Sequence, residues 1–142
     1  MHTGTVVAIH VRSGSREPMQ SLQQAVAISN MGLQGDHKAK SDSLRQVLVM
    51  DKETLDSLDL VPGIIRENIT LQGIPVASLQ PEQIIFVGDE VTLEVTGPCE
   101  PCYRMDEIRE GLRDILQGCR GTLAVVLNGG TFQTGDNVKV EP

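Results

Sequence analysis

Tryptophan is absent from this chain, and its only other aromatics are Phe86, Phe132 and Tyr103. A core made without them must be aliphatic and closely interdigitated. Long apolar runs are also missing. Leu123 to Leu127 is typical of the longest, far short of the roughly 20 residues that a membrane-crossing helix needs. Met1-His2-Thr3-Gly4-Thr5 has neither a basic start nor an apolar signal core, and the three cysteines are an odd number with no disulfide-framework spacing. A reducing, cytoplasmic setting is therefore expected. Positive charge is scarce too, with 12 Lys and Arg against 19 Asp and Glu and a net charge of −7. That balance opposes non-specific binding to nucleic acid or to an anionic membrane, so neither is expected as a partner. A phosphate-bearing ligand must instead meet a local arginine cluster, for which Arg45, Arg66, Arg104 and Arg120 are the candidates. The chain also lacks G-x-x-x-x-G-K-[ST], G-x-G-x-x-G after a strand, H-E-x-x-H and G-x-S-x-G. Their absence argues against P-loop, dinucleotide-fold, zincin and nucleophile-elbow chemistry.

What is present is a series of short apolar stretches separated by glycine-rich turns, within a length of 142 residues that suits one domain. Thr5 to Val11, Ala25 to Ile28, Arg45 to Met50, Ile64 to Leu71, Ile84 to Val87, Glu90 to Thr96 and Thr122 to Leu127 read as strands. Asp51 is placed to cap a short helix from Lys52 to Leu58. Gly88-Asp89 and Gly135-Asp136 each suit a two-residue hairpin turn. Met105, Ile108, Leu112, Ile115 and Leu116 fall at helical spacing, which predicts one helix of about three turns. Seven or eight strands with one substantial helix and a short one indicate a small, closed or nearly closed β-barrel with the helix as a flap. Within the strand expected at Ile64 to Leu71, Arg66-Glu67-Asn68 interrupts the apolar run. Those side chains either alternate to solvent or line a polar pocket. Asp36, His37 and Lys38 lie in a turn-rich, exposed loop.

The chemically informative stretch is Gly97-Pro98-Cys99-Glu100-Pro101-Cys102-Tyr103-Arg104, between a strand and a helix. Cys99-x-x-Cys102 has several readings: a pair of small structural residues, part of a zinc site, a thioredoxin-like dithiol, or one nucleophilic or sulfur-carrying thiolate. A zinc site lacks a second CxxC, and a dithiol of the thioredoxin kind lacks its α/β sheet. Cys102 falls at a helix start, close to free N–H groups and to Arg104, and both favour a thiolate. Cys99 is then a candidate resolving thiol, and Cys119, in a Gly-Cys-Arg-Gly turn, is most simply structural.

Taken together, Gly35-Asp36-His37, Arg45-Gln46-Val47 with Glu53 behind it, Arg66-Glu67-Asn68-Ile69-Thr70 and Gly73-Ile74 form an ordered pattern. It continues through Leu79, Gly88-Asp89, Leu93 to Pro98, Pro101-Cys102, Val126 to Gly130 and Gly135 to Val138. In order and spacing this pattern resembles the MOSC domain, named for the C-terminal domain of molybdenum cofactor sulfurase. The resemblance spans nearly the whole chain and implies a single MOSC domain over residues 1–142, a compact, mostly β barrel. It puts Cys102 at the family's functional cysteine, as persulfide carrier or as molybdenum ligand of a pyranopterin cofactor. Asn68 and Glu67 would line the pocket, Asp36 and His37 would approach from their loop, and Arg45 and Arg104 would hold an anionic group. The family often has Arg where this chain has Cys99. The implied partners are a sulfur donor such as a pyridoxal-phosphate cysteine desulfurase, with molybdoenzymes or cofactor-biosynthesis proteins as acceptors. Alternatives are a cofactor carrier without turnover and a small reductase of N-hydroxylated compounds needing a separate electron donor.

Overall fold

The computed structural model describes residues 2–142, in which short strands are the main regular element. Seven strands close into a barrel: β1 (His2–Val11), β5 (Val47–Asp51), β6 (Ile69–Gln72), β7 (Ile84–Val87), β8 (Val91–Pro98), β9 (Thr122–Asn128) and β11 (Asn137–Val140). Around the ring the order is β1, β11, β7, β8, β9, β5, β6 and back to β1. Every pairing is antiparallel except β5 with β6. A parallel pair cannot be joined by a tight hairpin. The crossover contains α1 (Lys52–Ser57), and Asp51 caps it as expected by accepting from the Thr54 N–H at 2.9 Å. β2 (Gln20–Leu22) extends the end of β1, while β3 (Gln24–Ile28), β4 (Gly32–Leu33) and β10 (Gly130–Gln133) form a separate small sheet.

The barrel interior is aliphatic, with Val6, Ile9, Val49, Ile69, Leu71, Ile85, Leu93 and Val138 buried and Phe132 its one aromatic. Period-two alternation produces this directly. In β8, Val91, Leu93 and Val95 are buried while Thr92, Glu94 and Thr96 are half-exposed. Outside the barrel, Met50, Leu55, Leu60, Ile65, Met105, Leu112 and Leu116 form a second apolar cluster.

Three local expectations are corrected. The predicted three-turn helix is two short ones, α2 (Arg104–Ile108) and α3 (Leu112–Ile115). Arg109 between them is extended, its guanidinium donating to the Leu58 and Asp59 carbonyls, and Gly111 takes a left-handed φ of 83°. Met105, Leu112 and Leu116 still point inward, whereas Ile115 is exposed. The strand expected from Ile64 begins only at Ile69, because Pro62-Gly63 opens a turn and Arg66 adopts φ 69°. Of the two hairpins, Gly88-Asp89 joins β7 to β8, but Val87 pairs with Val91 and the loop therefore has a third residue, Glu90. Gly135-Asp136 makes no hairpin. β10 pairs with β3 while β11 pairs with β7 and β1. The turn is pinned to β1 by Gly135 N–H donating to Val6 O at 2.8 Å and Val6 N–H donating to Asp136 O at 2.9 Å.

Candidate anion site around Cys102

A cavity of about 300 Å³ opens where β1 and β8 end and β6 and β9 begin. Strand ends are where a barrel can present side chains with different directions to one point. Here they converge in charge. Arg12 follows β1, Arg66 and Asn68 precede β6, Cys99 follows β8 and Arg120 precedes β9. Loops add Ser15, Asp36, Lys38, Arg45 and Cys102, the first residue of α2 adds Arg104, and Leu48 and Leu123 supply the apolar floor. Six of the chain's 12 Lys and Arg thus line one cavity, with only one of its 19 carboxylates.

That carboxylate is already engaged. Asp36 is buried, with Oδ1 accepting from the Arg12 backbone N–H at 3.1 Å and Oδ2 from the Lys38 N–H at 3.3 Å. It ties the loop to the end of β1, and His37 N–H reinforces the tie by donating to Arg12 O at 2.7 Å. The guanidiniums are held by carbonyls instead. Arg12 and Arg104 both donate to Ser15 O. Arg120, buried, donates from Nη1 to Cys99 Sγ and Glu100 O, both at 3.2 Å, and from Nη2 to Ile65 O at 3.1 Å, while its Nε is buried without a partner. Burial pulls the Arg12 pKa down, and the charges of Arg66, Arg104 and Arg120 add to that effect while Asp36 opposes it. Unit charges of like sign about 4 Å apart repel by about 4 kcal/mol near a protein surface. A cavity crowded with guanidiniums and short of free carboxylate is therefore stabilised by a bound anion, which planar, multi-donor guanidiniums grip well.

The three cysteines are all free thiols. Cys102 is half-buried and borders the cavity, whereas Cys99 is buried and packs with Leu48 and Leu123. Residues 99–102 run without turn, bend or helix, so the motif does not open a helix as a thioredoxin-type dithiol would. Closing a disulfide needs the two Cα atoms within about 7 Å, which such a run reaches only by bending. Cys119 lies elsewhere, against the second apolar cluster, and burial followed by the charge of Asp51 raises its pKa. Among the described residues no group of His, Cys, Asp and Glu is arranged to hold a metal ion by itself.

The family model for the MOSC domain matches residues 36–139. The chain belongs to the MOSC domain family. The crystal structure of the YuaD protein from Bacillus subtilis superposes with a TM-score of 0.81 at 17% identity, covering 99% of this chain and 98% of that one. YiiM from Geobacillus stearothermophilus gives 0.78 at 16% identity over 98% and 75% of the two chains. YiiM from Escherichia coli gives 0.72 at 17% over 100% and 70%. At these identities the likeness concerns the fold. No curated protein matches the chain.

Of the residues the MOSC resemblance singles out, the structure brings Asp36, Arg45, Asn68, Cys99, Cys102 and Arg104 to one cavity. Asn68 is committed to backbone: its Oδ1 accepts from Leu48 N–H at 2.9 Å and its Nδ2 donates to His10 O at 3.1 Å. His37 is exposed and outside the lining. Glu67 is also outside it, fully buried, with Oε2 accepting from Thr70 Oγ1 at 3.1 Å and Oε1 without a partner. Burial raises its pKa, against the pull of the backbone amides of Gly63, Glu67 and Ile65 and of the Thr70 hydroxyl. Where MOSC proteins often carry Arg, Cys99 rests on a guanidinium supplied from Arg120, so a cation is kept beside that position. Arg12 was absent from the sequence candidates. Its one signal is a basic residue directly after a β-strand and before Ser13-Gly14.

Proposed function

We propose that this MOSC protein binds an anionic, phosphate-bearing molybdenum–pyranopterin cofactor, with Cys102 as the sulfur that meets the metal. The observation that carries this reading is the cavity's cation set, five arginines and a lysine around one half-buried thiol. A bare sulfur carrier needs a thiol and little else. So many guanidiniums suit a ligand with several negative charges. The donor chemistry fits the group: buried Arg12 and Arg120 with Arg66 and Arg104 would hold phosphate and oxo groups, Arg45 would close the mouth, and Cys102 would offer a soft ligand. Bound molybdenum would supply redox or sulfur chemistry. The chain's own part is to bind, to orient and to offset charge.

Expression in a host that makes the cofactor, followed by molybdenum, phosphate and released-pterin analysis, tests the proposal. Near-stoichiometric loading that drops in Arg12→Met and Arg120→Met supports it. Protein empty both as purified and after incubation with released cofactor overturns it. The accessibility of Cys102 from the cavity also favours a second reading, in which the same thiol carries sulfur as a persulfide received from a pyridoxal-phosphate cysteine desulfurase. Intact mass after incubation with desulfurase and cysteine should then rise by one sulfur, reversibly on reduction, and should not rise in Cys102→Ser.

A further inference from the structure

The cations of the Cys102 cavity divide by whether the protein itself occupies them. Arg12 and Arg104 donate to Ser15 O, and Arg120 donates to Cys99 Sγ and to two carbonyls. Among the described residues the side chains of Lys38, Arg45 and Arg66 donate to no protein acceptor, and the ion pairs, Arg16 with Glu107 and Lys52 with Asp56, involve none of the cavity's cations. Lys38 and Arg45 are exposed to water and counter-ions, but Arg66 is half-buried. Its backbone is also held at φ 69°, a left-handed conformation that is strained for a residue with a Cβ and that collects at functional sites. Arg120 has donor capacity left over as well, since it is 8% exposed and its Nε is buried without a partner. The half-buried Cys102 thiol borders the same space. A nucleophile beside unsatisfied guanidiniums suits a substrate whose negative charge lies on the group that leaves.

We propose that Cys102 takes sulfur directly from a small anionic donor of the thiosulfate class, in which a transferable outer sulfur is bonded to a sulfonate. The inference rests on the persulfide reading of Cys102 above and names a donor other than a desulfurase. Guanidiniums of the cavity, Arg66 first among them, hold the sulfonate oxygens and leave the outer sulfur to the thiol. The Cys102 thiolate attacks that sulfur. An S–S bond to Cys102 forms, the donor's own S–S bond breaks, and its electron pair leaves with sulfite. Cys102 is then the persulfide, and no further oxidant or reductant is consumed. Negative charge grows on the departing sulfite, where fixed guanidinium donors stabilise it. Cyanide, as an acceptor, attacks the outer sulfur of the persulfide, leaves as thiocyanate and returns the Cys102 thiolate.

Incubating the whole protein with thiosulfate labelled at its outer sulfur tests this, with intact mass, peptide mapping and sulfite release as readouts and thiocyanate formation from cyanide as the measure of turnover. Labelled sulfur should appear on Cys102 together with an equal amount of sulfite, and neither should appear in Cys102→Ser. The parent should react about a hundredfold faster than glutathione at the same pH. Arg66→Met should slow the reaction at low thiosulfate concentration by about tenfold or more, and Arg66→Lys should recover part of the loss. Arg45→Met, an exposed change that spares the fold, should slow it by a smaller factor. Parallel loading with a pyridoxal-phosphate desulfurase and cysteine separates the two claims. If the desulfurase loads Cys102 while thiosulfate reacts no faster than with glutathione, or if neither arginine substitution slows the thiosulfate reaction, the thiosulfate inference is overturned and the persulfide reading stands. No sulfur on Cys102 from either source overturns both.

Discussion

Replacing Asn68 by alanine should unfold this protein far more readily than the loss of one surface amide would. Asn68 is 4% exposed and closes two backbone exchanges. Its own N–H donates to Leu48 O at 2.8 Å while its side-chain Oδ1 accepts from Leu48 N–H at 2.9 Å. On the other side its carbonyl accepts from His10 N–H at 2.8 Å while Nδ2 donates to His10 O at 3.1 Å. One residue thereby satisfies both polar groups of Leu48 on β5 and of His10 on β1. Asn68→Ala leaves a Leu48 N–H and a His10 carbonyl without partners, each costing about 1–3 kcal/mol when buried. The expected loss is about 2–6 kcal/mol, out of the about 5–15 kcal/mol that domains of this kind possess. Equilibrium urea unfolding measures it as a lower midpoint with an unchanged m-value. A loss under about 1 kcal/mol at constant m would refute the idea that the side chain is a strand-bridging clamp, and would return Asn68 to a ligand-contacting role.

Two further substitutions test the same corner. Glu67 has a raised folded-state pKa, so its protonated form is the one folding favours; its stabilising contribution is full below its unfolded pKa and is lost as pH rises through the folded value. Glu67→Gln should therefore be more stable than the parent at pH 7–8, with the difference disappearing in urea titrations at about pH 4 and below; a pH-independent difference would contradict the assignment. Gly63→Ala combines a left-handed backbone with a Cβ 2.7 Å from the His10 ring, and should cost about 2–4 kcal/mol by the same urea assay. A neutral result there would mean that the His10 ring is not held as described.

The barrel was legible because its signals are local. Period-two alternation in β8, the Asp51 cap and the Thr122 to Leu127 run each specify their element from a few neighbouring residues. Closure was not legible in the same way, since it depends on His2 to Thr5 of β1 meeting Val140 to Asn137 of β11, nearly the whole chain away. For the same reason Gly135-Asp136 looked like a hairpin: its glycine is a genuine left-handed turn residue, yet its flanks belong to different sheets. The helix after Cys102 failed at Arg109 and Gly111, where two carbonyls of the α1 turn compete for the arginine. In the site, Cys102, Arg45 and Arg104 could be read from their motif, and Arg66 and Arg120 from the scarcity of positive charge. Glu67 could not be placed, because the positive φ of Arg66 breaks the alternation that assigns faces. Arg12 escaped because a lone basic residue after a strand resembles any solvated strand end.

The most direct measurement is the rate at which Cys102 reacts with iodoacetate relative to iodoacetamide, followed by peptide mass mapping at low and high ionic strength. The two reagents share a leaving group and differ by a negative charge, so their ratio senses the field of the cavity. Six cationic side chains around that thiol should raise the ratio above that of glutathione at low salt and bring it down toward that value as salt shortens the screening length from about 30 Å to about 3 Å. A ratio equal to that of glutathione and insensitive to salt would contradict an anion-binding cavity around Cys102.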